Sequence, residues 1–481
     1  MEETVKTTPQ PARKDKMDVG SAIAYSIGFS GTNVIWYMIN NYLMLFYTDV
    51  VTLSAGAISI IMLISRIWDA VNDPMMGAIV DRTHTKWGKF KPYIALGAPF
   101  LALFNVLTFT VWPLQGTTKV IVCLLCYIGV GMAYTVIQVA INGLVNRLSN
   151  SSQIKMDIIS MAQVASSIIQ TILGAVAMPL ILFFSKSEVA NGTGFFKATL
   201  VFSLVALPMF WYCTYRCREV KDVAPVAAEA APVKEKQPLG KSLKALLKNR
   251  MIIICVVIVF VGAMAAVARM SLLSYYLIYV AGAYTYIAPT FTIISMMQIV
   301  GNMTLPFFTR KVGKVRWFVL TMVLNALSMI VLFFAPAGNI PVLLICSGIY
   351  GITNSATSIS YSMLCDSIEY GDYKFGVRDD ALAFSFQSFG VKLAMAITGS
   401  VGVLLLSAVG YVAGAQQTAS TMTGINVVVN IAPAILTLIG LIPMFFYTLN
   451  EKTMDKIRTV LEARRAGHML PDDPMNTAAA D

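Results

Sequence analysis

Apolar residues run in stretches of about 20 along the whole chain, and short polar connections separate them. A bilayer core roughly 30 Å thick takes about 20 helical residues to cross, so each stretch reads as a membrane helix. Twelve spans are expected, at about 20–47, 54–80, 93–113, 119–145, 156–184, 195–215, 251–281, 286–308, 317–335, 340–364, 381–409 and 424–448. The longest connection, 216–250, contains "EVKDVAPVAAEAAPVKEKQPLGK", whose Ala, Pro, Glu and Lys content marks a flexible linker. It divides a six-helix bundle at 20–215 from a second at 251–448, between a terminal segment at 1–19 and a tail at 449–481.

Composition strengthens this all-α membrane reading. Of the 481 residues, 57% are hydrophobic and 13% charged, with a mean hydropathy of +0.69. Soluble domains carry roughly 25% charged residues. The net charge of +11 raises the question of nucleic acid, but its distribution answers against that partner. Arg82, Lys86, Lys89 and Lys91 follow the second span, Arg216, Arg218, Lys241, Lys244, Lys248 and Arg250 lie in the linker, and Arg310, Lys311, Lys314 and Arg316 follow the eighth. The loops near 48–53, 282–285, 336–339 and 410–423 have no Lys or Arg. Lys and Arg accumulate on the cytoplasmic side, so both termini and the linker are expected there, in a multi-pass protein of the plasma (inner) membrane. The first 19 residues are polar and lack the apolar core of a cleavable signal.

Enzyme chemistry finds no support. The two histidines, His84 and His468, sit in a basic loop and in the tail, without plausible catalytic neighbours. Cys123 and Cys126 have metal-like spacing but no second pair or nearby histidine, and the seven cysteines read as packing residues. No cofactor is expected. The halves echo each other, with "DRTHTKWGKFKP" after span 2 and "RKVGKVRW" after span 8, as in transporters built from two parallel repeats.

Few ionisable groups fall well inside the spans: Arg66, Asp69, Asp73, Arg269 and Lys392. Each costs roughly 2.5–3.5 kcal/mol facing lipid, so each should face a cavity or a partner. A static Arg66–Asp69 pair at i, i+3 is one explanation. Asp69 and Asp73, at i, i+4, project from one helix face and repel unless a proton or a cation lies between them. Pro74 leaves the Ala70 carbonyl free and Asn72 adds an amide oxygen, an oxygen set suited to a hard cation. Span 1 places Ser30, Thr32, Asn33, Asn40 and Asn41 in a membrane helix, and span 4 places Tyr134 and Gln138 at i, i+4. Rings beside amides suit a sugar, which offers a flat apolar face and hydroxyls.

The stretches "RIWDAVNDPMMGAIVDRTHTKWGKFKPY", "YLMLFYTDVVTLSAG" and "DSIEYGDYKFGVRDDALAFSFQSFGVK" closely resemble the glycoside–pentoside–hexuronide:cation symporters, a melibiose permease-like branch of the major facilitator superfamily. The resemblance covers nearly the whole chain. It implies the twelve-helix major facilitator fold and symport of a sugar, glycoside or hexuronide with sodium, lithium or protons, by alternating access. Carried over by position, it assigns Asp69, Asn72, Asp73 and Thr135 to the cation, and Tyr134, Ser388 and Lys392 to the sugar cavity. Asn33 and Gln138 stand where the permease has two sugar-gripping aspartates, Asn142 and Thr357 where it has tryptophans, and Gln163 where it has an arginine. With those negative charges gone, Arg269 and Lys392 would suit an anionic substrate. Charge contacts among Arg66, Asp81, Arg82, Lys86, Asp366, Tyr370, Asp372 and Arg378 are expected to lock one conformation. The altered sugar half leaves room for a lysolipid-type amphiphile, or for a sensor that does not transport. The chain is expected to act as a monomer.

Overall fold

The computed structural model describes residues 18–82, 85, 87–149, 152–217, 246–336, 338–376 and 380–465. Six helices build the first half: α1 (Val19–Leu45), α2 (Ala55–Arg82), α3 (Lys91–Thr108), α4 (Gly116–Leu144), α5 (Ser152–Ser185) and α6 (Gly192–Arg216). The second half begins with α7 (Arg250–Tyr275), α8 (Ile287–Val312) and α9 (Lys314–Phe334). Its fourth span is two helices, α10 (Ile340–Asn354) and α11 (Ala356–Phe375), interrupted at Ser355. Then come α12 (Asp380–Ala408) and a composite last span of α13 (Ala419–Asn426), a π-helical turn and α14 (Ala432–Leu441). Helix starts carry the expected caps: Asp18, Asn191, Asn249, Asn339 and Thr418 each accept from a backbone N–H of the first turn.

Among the described residues, eleven helices are long and apolar enough to cross a membrane. The twelfth expected span, α1, is equally long but is interrupted by Ser, Thr and Asn residues. Most span ends fall within about five residues of the sequence reading, and two regions differ more. The expected tenth span ends at 364, yet α11 runs on to Phe375, because Asp366, Glu369 and Asp372 extend the helix past its apolar part rather than breaking it. The polar tail also folds in part, as α15 (Glu451–Arg465) packed on α11.

The packing repeats between halves. α1 lies against α5 and α6, as α7 lies against α12 and α14; α3 lies against α4 and α6, as α9 lies against α10 and α14. The halves meet along two matching seams, α2 with α12 and α5 with α8, while α1 touches α7 at the centre. Each element of one seam is the six-span counterpart of an element in the other, which is approximate two-fold symmetry along the membrane normal.

Within the second half, α8 and α10 approach closely enough for backbones to touch. A Cβ on Gly351 would lie 2.3 Å from the Ile294 carbonyl oxygen, and one on Gly301 would lie 2.4 Å from that of Ile352. Small residues at such crossings substitute for a hydrophobic driving force that lipid does not supply. Gly351→Ala is expected to destabilise the detergent-purified protein by about 2 kcal/mol, since backbone cannot move aside. Gly56→Ala, which meets nothing within 4 Å, should leave thermal unfolding unchanged.

Candidate cation and substrate site

The two carboxylates of α2 lie where the halves meet. Asp69 and Asp73 are one turn apart, with side chains 16% and 27% exposed. Asn72, between them in sequence, is buried with its amide nitrogen unpartnered among the described residues. Thr135 of α4 donates to Asp73 Oδ1 at 3.0 Å. Gly131, one turn before it, is what admits Asp69: a Cβ there would lie 2.9 Å from Asp69 Oδ1. The structure thus gathers Asp69, Asn72, Asp73 and Thr135 between α2 and α4.

Each acid faces a base. Arg66 Nη1 lies 3.2 Å from Asp69 Oδ2, and its Nη2 donates to the Tyr127 hydroxyl at 3.0 Å. The guanidinium also sits 5.6 Å from the ring centre of Trp36, a cation–π contact. Arg66 is thus bound within the first half, to Asp69, Tyr127 and Trp36. Asp73 Oδ2 forms an ion pair with Lys392 of α12, on the opposite half. Two carboxylates and two bases cancel locally, which removes most of the penalty for charge in hydrocarbon. A cation entering between the carboxylates must displace at least one base.

Beside this cluster, α1 and α4 form a wall. Trp36 stacks on Tyr134 with ring centres 4.2 Å apart and planes inclined by 25°. The helices run antiparallel, so one turn toward the termini come Asn33 on α1 and Gln138 on α4. Gln138 Oε1 is buried without a partner among the described residues. Gln170 of α5 reaches both Asn33 Oδ1 (3.5 Å) and Ser166 Oγ (3.4 Å). In the other half, Gly262, Ala266, Asn325, Tyr350, Thr357 and Val391 line a cavity of about 300 Å³, with the small Thr357 leaving space where the resemblance would place a tryptophan.

Asn142 and Ser388 are exposed, while Gln387, beside Ser388, is buried with neither amide atom partnered among the described residues. Arg269 does not join the wall. It is 2% exposed, bonded through Nη1 to Asn430 Oδ1 at 2.7 Å and to the Val429 carbonyl at 3.4 Å, inside the second half. The π-helical turn Val427–Ile431 brings those two groups to it, which the sequence pattern did not reveal. Asp366 binds Lys314 at 2.6 Å and Arg458 at 3.2 Å, and Arg458 also binds Glu369 at 3.0 Å. Arg464 donates to the Asp372 carbonyl, and Lys374 lies 5.7 Å from the Tyr370 ring centre. These contacts knit the second half to α15 rather than joining the halves. Asp81 and Arg82 close α2, and Lys86 and Arg378 lie outside the described residues.

Trp36, Tyr127, Ser166 and Gln170 escaped the sequence reading. Ser166 and Gln170 did carry a signal, an i, i+4 polar pair in an apolar span. Trp36 and Tyr127 carried none, because aromatic rings in a membrane helix mostly pack.

The MFS/sugar transport protein family model matches residues 24–451, and the chain belongs to that family. It is 28% identical over 470 residues to the isoprimeverose transporter of Lactiplantibacillus pentosus, covering 96% of each chain. It is 26% identical over 454 residues to the glucuronide carrier protein homolog of Escherichia coli (strain K12), covering 92% of this chain and 95% of that one. Among solved structures it is similar to a D-xylose-proton symporter, with TM-score 0.65 and 13% identity over 90% of this chain and 98% of that one. A bacterial homolog of the human lysosomal transporter Spinster gives TM-score 0.63 and 13% identity over 92% and 97%. These two structures support the fold.

Gly131→Ala tests the geometry around Asp69. The added methyl is expected to push the carboxylate off α4 and to weaken apparent coupling-cation affinity in uptake assays about tenfold, roughly 1.4 kcal/mol. Thermal unfolding should change little, because the far end of a side chain can move. Unchanged cation dependence would contradict the placement.

Proposed function

We propose that the protein is a secondary active transporter that carries a neutral sugar or glycoside into the cell together with a sodium ion or a proton. The observation that carries this reading is the pairing of Asp73 with Lys392 across the two halves, beside Asp69 paired with Arg66. In this arrangement the unloaded site is electroneutral. A cation that binds between the acids replaces the Lys392 ammonium and breaks a link between the halves, so ion occupancy and the relative position of the halves become one equilibrium. The membrane potential then contributes about 2.3 kcal/mol per charge per 100 mV.

The chemistry of the substrate wall supports a neutral sugar. Asn33, Gln138, Gln170 and Ser166 supply uncharged hydrogen-bonding groups next to the Trp36–Tyr134 stack. Amides and hydroxyls suit hydroxyl groups better than the acyl chain of an amphiphile. Of the two bases that favoured an anionic substrate, Arg269 is engaged by Asn430 and Lys392 by Asp73. The isoprimeverose transporter among the relatives agrees with a neutral glycoside. Coupling groups and wall come from one chain, so a monomer suffices. The termini and basic loops are assigned to the cytoplasm, and the loops at 48–53, 282–285 and 410–418 to the outside.

Proteoliposome uptake of labelled isoprimeverose, methyl xyloside and methyl glucuronide, with sodium and pH gradients imposed separately, tests the reading. One gradient is expected to drive accumulation of a neutral glycoside, and Asp73→Asn to abolish accumulation while sparing counterflow exchange. Accumulation of methyl glucuronide alone would overturn the neutral-substrate assignment. Accumulation in Asp73→Asn equal to wild type would overturn the coupling role.

A further inference from the structure

At the outer end, the halves meet through one polar cluster. α1 widens at its end into the π-helical turn Phe46–Val50, and α7 widens into Tyr276–Val280. The backbone that follows is the same in both halves. Val51 N–H donates to the Phe46 carbonyl and Leu53 to Tyr47, just as Ala281 donates to Tyr276 and Ala283 to Leu277, each at 2.9 Å. The left-handed residue recurs too, Thr52 at φ 56° and Gly282 at φ 59°. Glycine adopts that conformation freely, whereas a β-branched threonine is strained in it. Strain of this kind persists only where the surroundings enforce it, and it concentrates at sites that must present a group in one orientation. Here the turn presents Asp49, the fourth residue of its π-helical turn, and Tyr279 is the fourth residue of the other.

These two equivalent residues bond across the pseudo-two-fold axis. The Tyr279 hydroxyl donates to Asp49 Oδ2 at 2.5 Å, and Tyr411 donates to Oδ1. Thr48 donates to the same Oδ1 at 2.6 Å and shares a 2.7 Å bond with the Tyr275 hydroxyl. The Tyr411 ring packs edge-on against Tyr275 and Tyr279, with centres 5.4 and 5.2 Å away. Lys119 of α4 bonds the Val51 carbonyl and holds the strained turn from the first half's side. All three tyrosines belong to the second half, and Thr48 and Asp49 to the first. Nearby, Tyr284 accepts the Ala190 N–H at 2.9 Å, a second crossing between the halves.

We propose that Asp49 is a positioning residue of the transport cycle, the latch that holds the outer gate shut by gathering Tyr275, Tyr279 and Tyr411. The inference rests on the alternating-access reading above. Charge-assisted hydrogen bonds make the closed gate firm, since a carboxylate accepts O–H groups more strongly than a neutral oxygen does. The same groups are met by water once the halves part, so the latch releases without leaving buried polar atoms. Lys392–Asp73 at mid-membrane and Asp49 with its tyrosines at the outer end are then among the links that hold the unloaded carrier open to the inside.

Site-specific thiol labelling tests the latch without substrate or coupling ion. The seven native cysteines are replaced, and one cysteine is placed at Asn40, exposed on α1 between the aromatic stack and the latch. A membrane-impermeant maleimide is applied to right-side-out and inside-out vesicles. Asp49→Asn, Tyr279→Phe and Tyr411→Phe are each expected to speed labelling from outside about tenfold and to slow labelling from inside. General loosening of the fold would speed both and would count against the proposal. Unchanged outside labelling in all three variants would overturn it. If Asp49→Asn does not reach the membrane, the two phenylalanine variants decide the matter, because each removes one hydroxyl and keeps its ring. Absence of ion-driven uptake in the chain with native Asp49, Tyr279 and Tyr411, with labelling that still shifts in the three variants, would fault the transport reading and leave only the outer-end contact standing.

Discussion

A carboxylate in the middle of a membrane protein must be paired, protonated or solvated, and this constraint organises the whole site. Asp69 and Asp73 meet it with Arg66 and Lys392. Arg66 belongs to the same helix as its partner and is held by Tyr127 and Trp36, so that pair travels with the first half. Lys392 belongs to the other half, so its pair ties the two bundles together. The asymmetry assigns different work to the two acids: one is neutralised in place, and the other reports the position of its neighbour.

Neutralisation by an internal base also decides what can compete. A sodium ion or a proton delivers to Asp73 the same charge that Lys392 delivers, and it does so without linking the halves. The released ammonium is one residue from Val391, which lines the cavity of the second half, and across the seam from the amide wall of the first. On the proposed reading, ion, base and sugar would lie close together, and occupancy of one position would change the electrostatics of the others. At the end of the bundle away from the termini, matching π-helical turns repeat in the two halves. The backbone is the same, but one turn carries the acid and the other the phenol, so two equivalent positions are complementary.

The sequence disclosed the architecture because bilayer thickness imposes a length and a composition that few other constraints can mimic. It disclosed Asp69, Asp73 and Lys392 because charge in an apolar run is conspicuous. It misplaced Arg269 for the same reason: a buried base demands a partner, and Asn430 reaches it only through a π-helical turn that no pattern in "VVVNI" announces. α1 is less plainly apolar because Ser, Thr and Asn positions, most of them buried, interrupt it. The pairing of Asp73 with Lys392 spans more than three hundred residues of chain, and nothing local encodes it. Gln170 was legible in principle, but only once α5 was known to face α1.

Binding of the coupling ion to the purified protein, in the absence of sugar, tests the account most directly. Isothermal titration would compare the wild-type chain with Asp73→Asn and Lys392→Gln. The account expects binding to vanish in Asp73→Asn and to tighten about tenfold in Lys392→Gln, where the competing ammonium is gone. Equal affinities in all three proteins would contradict it.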